Sequence, residues 1–147
     1  MSRSFDEIKE DMRRAMDSYD ALSIERFINE CEELGTDQSL LTATNARGAL
    51  CSMRAQYEEA RVYYTDALAG YERLDVPTGV AAAHVNLGSL ALTLNDPRGA
   101  LEHLTRALSI YSQLGHRHGI ASVHMNIGSL HQSADEHSEA LIHFHRA

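Results

Sequence analysis

The sequence predicts an all-α chain of stacked antiparallel helix pairs, a solenoid, and three observations predict it. A 40-residue period runs through the chain: AAAHVNLGSLALTLNDPRGALEHLTRA at 81–107 matches ASVHMNIGSLHQSADEHSEALIHFHRA at 121–147 in eleven of 27 positions without a gap. Within each period, apolar residues recur at spacings of three and four and break at short polar stretches. Nineteen Ala, only two Pro and no Trp in 147 residues suit close-packed helices better than a turn-rich β architecture.

The elements follow in order. Residues 1–37 form a degenerate N-terminal capping pair, with one helix over about Ser4 to Asp17 and a second over about Asp20 to Leu34, ending at Gly35. Ile8 stands there where the next unit has Gly48. The unit at 38–76 turns at Arg54-Ala55-Gln56. In the unit at 77–116 the first helix runs from about Thr78 to Leu94. Asn95-Asp96-Pro97 then supplies an N-cap and a first-turn Pro, and the second helix reaches Leu114 before Gly115. The unit at 117–147 is expected to turn at Ala134-Asp135-Glu136, with its second helix truncated at Arg146-Ala147. A unit broken there is expected either of a chain that continues in a longer protein or of an edge left open to self-association.

Small residues explain the helix approach. Gly48, Gly88 and Gly128 share one repeat position, and Ala60, Ala100 and Ala140 another. Gly inside a helix costs about 1 kcal/mol relative to Ala, so three at one position imply a packing reason. A single pair cannot bury its apolar face alone, so neighbouring units must stack.

The net charge of −8 is uneven: residues 1–37 carry eleven acids and five bases, which is −6 of it. A charged outer face is what an end cap of a solenoid needs. The acidic balance argues against nucleic acid, whose phosphates need a basic face. The start, MSRSFDEIKE, has no apolar signal core and no apolar run approaches the roughly 18 residues of a membrane span, so no membrane association and a cytoplasmic location are expected. Cys31 and Cys51 have no metal-ligand spacing and are expected to be reduced.

Nothing in the sequence predicts catalysis. Nine His are present, but no two are three or four apart, the spacing that would place two imidazoles on one helix face for a metal. His84 and His124 are one repeat apart, as are His103 and His143, which fits repeat-locked packing or surface positions. No nucleophile elbow, phosphate loop or dinucleotide glycine pattern occurs. The expectation is a non-enzyme without cofactor or metal.

The repeated pattern Leu87-Gly88, Ala100, Leu104, Ala107, then Ile127-Gly128, Ala140, Phe144, Ala147, and more loosely Gly48, Ala60, Tyr64, Ala67, resembles the tetratricopeptide repeat (TPR). The 40-residue spacing, Asn86-Leu87-Gly88 and the linker from Leu114 to Gly119 look like the longer-repeat subgroup of scaffold and signalling proteins. The resemblance implies a right-handed superhelix with a concave groove that binds a partner peptide or helix. It also implies the groove residues: Asn45, Ser52 and Met53; Val85, Asn86, Ser89, Leu92 and Thr93; Met125, Asn126, Ser129, Gln132 and Ser133. That set carries no charge. Asn86 and Asn126 each offer a donor and an acceptor, to a peptide amide or to a neighbouring helix. The partner expected is a protein or peptide. Two other roles fit the resemblance or the incomplete last unit: a sensory module at the N-terminus of a kinase, cyclase or transcription regulator, and a self-association element giving a homodimer.

Overall fold

The computed structural model describes the backbone of residues 3–18 and 20–146, with side chains through Glu136. Seven helices and no strand occur among the described residues: α1 (Phe5–Asp17), α2 (Ala21–Leu34), α3 (Asp37–Met53), α4 (Tyr57–Arg73), α5 (Pro77–Thr93), α6 (Pro97–Leu114) and α7 (Arg117–Arg146). No described helix is long and apolar enough to cross a membrane.

The termini are written in local chemistry. Ser4 and Glu7 form a reciprocal capping box, the Ser4 hydroxyl accepting from the Glu7 N–H and the Glu7 carboxylate from the Ser4 N–H. Asp20, Thr36 and Asp96 cap α2, α3 and α6 with their side-chain oxygens. Gly35 and Gly115 end α2 and α6 in the left-handed conformation, at φ 63° and 65°. The turns after α3, α4 and α5 reach the same region without glycine, at Ala55 (φ 59°), Asp75 (54°) and Asn95 (57°).

Each helix packs on the next, and α5 also touches α3 and α7, so alternate helices lie side by side. Three apolar clusters follow one another along the stack. The first joins Ile8 and Met12 of α1 to Phe27 and Cys31 of α2 and Ala46 and Leu50 of α3. The second joins Ala49, Tyr64 and Leu87, and the third Ala81, Leu104, Tyr111 and Val123. Each spans three consecutive helices, so the core is continuous only through neighbours, as in an all-α helical-repeat solenoid. Cys31 lies in the first cluster, unpaired like Cys51, and burial pushes its thiol pKa up.

The glycines are seats. A Cβ at position 48 would lie 2.6 Å from the Tyr64 ring, and one at 88 would lie 2.8 Å from Leu104 Cγ. Those contacts close the α3–α4 and α5–α6 pairs. A second set joins successive pairs, since a Cβ at Gly79 would lie 2.3 Å from Tyr71, and one at Gly119 2.6 Å from Tyr111.

The last unit departs from the expected turn. α7 runs unbroken through Ala134-Asp135-Glu136, and a Cβ at Gly128 would meet nothing within 4 Å among the described residues. The stretch from Ser133 to Glu139 contains neither Gly nor Pro, so nothing in it stops a helix, and among the described residues no large side chain covers Gly128.

The α5–α6 pair also brings together two histidines 19 residues apart. The Nδ1 atoms of His84 and His103 are 3.0 Å apart with ring centroids at 5.3 Å, so the two nitrogens point at each other. One must donate and the other accept. Burial, then the charge of His103, lowers the His84 pKa to about 4, and burial lowers that of His103. Both folded values lie below the unfolded value of 6.5, so the unfolded chain binds more protons in between. Stability is full above about pH 6.5 and falls as the pH drops toward about 4.

Three outcomes are expected. Gly48→Ala and Gly79→Ala each lower stability by roughly 1–3 kcal/mol through overpacking against Tyr64 and Tyr71, whereas Ser109→Ala on the exposed face of α6 leaves it equal or slightly higher in urea unfolding. Ala55→Gly raises stability by about 1 kcal/mol by removing the left-handed penalty. Between pH 7.5 and pH 5 the His84 site costs about 2 kcal/mol. Replacing the pair by the residues of the preceding unit, His84→Thr with His103→Tyr, flattens the melting temperature over that range.

Candidate interaction cleft

The first helices of successive units, α3, α5 and α7, lie side by side, and the repeat therefore lays equivalent residues in rows across them. Gln38, Thr78 and His118 form one such row, and Thr42, Ala82 and Ser122 the next. Both rows line a cleft of about 500 Å³ at the N-terminal halves of these helices. Asn45, Val85 and Asn86 continue the floor, and α1 forms the facing wall with Asp6, Lys9, Glu10, Met12, Arg13, Met16 and Asp17.

Tyr71 and Tyr111 anchor the floor. Thr42 donates its hydroxyl hydrogen to the Gln38 carbonyl at 2.9 Å, which leaves its oxygen to accept from the Tyr71 hydroxyl at 3.1 Å. Burial raises the pKa of both tyrosines, so they remain neutral donors at physiological pH. At the rim, His116 stacks on Tyr111 with centroids 4.9 Å apart, and its Nδ1 accepts the Gly119 N–H at 2.9 Å. The imidazole thereby caps α7, and in its neutral form its own proton sits on Nε2.

At the centre, Asn86 Nδ2 donates to Asn45 Oδ1 at 3.1 Å, which ties α5 to α3. Asn86 therefore bonds a neighbouring helix, one of the two roles its chemistry allowed. Asn86 Oδ1 and Asn45 Nδ2 have no hydrogen bond among the described residues, and both side chains are half-buried.

Of the groove residues expected from the repeat, the cleft gathers Asn45, Val85 and Asn86. Ser52, Met53, Ser89, Leu92 and Thr93 lie further along α3 and α5, outside it. Met125, Asn126, Ser129, Gln132 and Ser133 follow Ser122 on α7 and are also outside it. Several spend their polar groups within their own helix: Thr93 on the Ser89 carbonyl, Ser129 on the Met125 carbonyl, Gln132 on Glu136.

Charge enters the cleft from α1, outside the expected groove set, through acids and bases that line it. Glu10 and Arg13 pair at 2.6 Å, Lys9 sits 5.5 Å over the Phe5 ring, and Asp6 and Asp17 form no ion pair among the described residues. Treating residues 1–37 purely as an outward-facing cap hid this wall. The repeat register held the signal: the offsets that select Asn86, Ser89, Leu92 and Thr93 around Gly88, applied around Ile8, select Asp6, Lys9, Met12 and Arg13. Tyr71 and Tyr111 were visible as repeat mates, as were Gly79 and Gly119, but nothing in the spacing said that each tyrosine sits on the following glycine.

Residues 79–147 match a family model described as tetratricopeptide repeat. Among solved structures the chain is similar to BtubC (BKLC) from P. vanneervenii, with a TM-score of 0.62 and 25% identity over 86% of this chain and 53% of that one. The chain thus spans about half the length of that protein. No curated protein matches it. With the 40-residue register, the stacked helix pairs and the glycine seats, these matches place a tetratricopeptide-repeat segment at residues 79–147 within an all-α helical-repeat solenoid.

Proposed function

We propose that the chain is a protein–protein interaction module whose cleft holds a peptide segment of a partner. Tetratricopeptide repeats in general mediate such interactions, and the carrying observation here is the Asn45–Asn86 pair. A peptide group presents one N–H donor and one C=O acceptor. The pair presents the complement, an acceptor at Asn86 Oδ1 and a donor at Asn45 Nδ2, side by side on a floor that includes Thr42, Ala82, Val85 and Ser122. Recognition of main chain with little side-chain charge on the floor is chemistry suited to an extended segment. A volume of about 500 Å³ lies within the range of small-ligand sites, so only a short stretch of the partner fits inside. Met12 and Met16 of α1 supply adaptable apolar contact along the facing wall.

Selection of displayed random peptides on the chain, followed by anisotropy titration of the peptides recovered, tests this reading. The double variant Asn45→Leu with Asn86→Leu is expected to weaken them tenfold or more with far-UV helicity unchanged. Leu101→Ser, on exposed α6 surface away from the cleft, is expected to leave them unaffected. Peptides that bind the double variant as tightly as the parent would refute the cleft assignment.

A further inference from the structure

Tyr71 and Tyr111 are repeat mates, and their rings lie against Gly79 and Gly119 through the same atoms, Cγ, Cδ1 and Cε1. Rings seated alike bring their hydroxyls to equivalent places. The Tyr71 hydroxyl finds its acceptor in Thr42, at 3.1 Å. One period on from Thr42 stands Ala82, with a methyl group where that acceptor would be. The Tyr111 hydroxyl accordingly makes no hydrogen bond among the described residues, although Tyr111 is only 7% exposed. Its oxygen is nevertheless reachable. Among the described residues no fully buried side-chain oxygen or nitrogen lacks a partner, and Tyr111 lines the cleft together with Ala82.

We propose that the Tyr111 hydroxyl is a ligand-binding donor of the cleft, taking a main-chain carbonyl oxygen of the bound peptide in the place that Ala82 leaves open. The assignment rests on the peptide reading of the cleft and adds a third contact to those of Asn45 and Asn86. Burial raises the tyrosine pKa, so the hydroxyl keeps its proton and offers it at physiological pH. The glycine seat and the His116 ring stacked on Tyr111 at 4.9 Å fix the direction of the donor before a ligand arrives, which lowers the ordering cost of binding.

The spacing of these contacts selects the shape of the ligand. Ala82 and Asn86 are four residues apart on α5, about 6 Å along its axis. On one edge of an extended chain, main-chain groups recur every second residue, roughly 7 Å apart. A segment lying along α5 therefore meets the Asn45 and Asn86 amides with one residue and the Tyr111 hydroxyl with the carbonyl of the residue two places away. A helical peptide fits less well, because its interior carbonyls are spent on its own N–H groups.

Two measurements test this. Without ligand, Tyr71→Phe is expected to lower the urea midpoint by breaking the bond to Thr42, whereas Tyr111→Phe leaves it unchanged. Ala82→Thr, which gives Tyr111 an internal acceptor, is expected to be more stable than the equally bulky Ala82→Val only where Tyr111 is retained. With ligand, the probes are peptides selected by display on the chain whose binding falls in the Asn45→Leu, Asn86→Leu variant. Tyr111→Phe is expected to weaken them about three- to tenfold. Ala82→Thr is expected to weaken them more than Ala82→Val, and the difference is expected to vanish when combined with Tyr111→Phe. A Tyr111→Phe variant that loses as much stability as Tyr71→Phe has broken a bond within the chain, and that result overturns the proposal. Peptides that need both asparagines yet bind Tyr111→Phe as tightly as the parent overturn it too, leaving the hydroxyl to water and the cleft reading intact. Peptides indifferent to the asparagines refute the cleft reading and this assignment with it.

Discussion

The close approach of a large side chain to a glycine on the neighbouring helix is the constraint on which the rest of this structure depends. Tyr64 on Gly48 and Leu104 on Gly88 close helix pairs, and Tyr71 on Gly79 and Tyr111 on Gly119 stack one pair on the next. A Cβ in any of these places would fall well inside van der Waals contact. The intrinsic helix cost of each glycine is offset by the aromatic or leucine surface it buries. The same device also sets the spacing of α3, α5 and α7, and through it the rows of residues that line the cleft.

The cleft shows how a repeat converts a sequence period into a surface. Equivalent positions on parallel helices fall in rows, so three small or polar residues one period apart become a continuous floor. What distinguishes this floor is the break in the repeat: Asn45 shares its register with Val85, and Asn86 with Ala46, so the amide pair forms diagonally between units. The charged wall comes from outside the regular array, from a first helix in which Ile8 replaces the glycine and buries itself at 2% exposure.

Where the repeat was legible, so was the structure. The capping box at Ser4, the Asp20 and Asp96 caps and the glycine stops at Gly35 and Gly115 fall where short-range chemistry places them, because each depends on residues within a turn of the chain. The turn at Ala134–Glu136 was misjudged for the converse reason. Register alone suggested it, yet this stretch lacks the Pro and Asn that mark the α5–α6 turn. The groove list shows the same limit of register. Offsets from the repeat glycine name positions along the whole length of each helix and say nothing of how far the cleft extends, and three of the thirteen positions line it.

The sequence by itself determined the helices, their pairing and the order of stacking, because a 40-residue period with apolar residues at helical spacing and small residues at fixed places admits one arrangement of neighbours. Only the tertiary structure decided which residues from different units meet. His84 with His103, Tyr71 with Thr42 and Gly79, Asn86 with Asn45, and α1 against the floor are contacts between segments 8 or more residues and up to about two repeats apart. Their geometry follows from how closely the glycine seats let the helices approach, and distance across a packed interface has no counterpart in linear spacing.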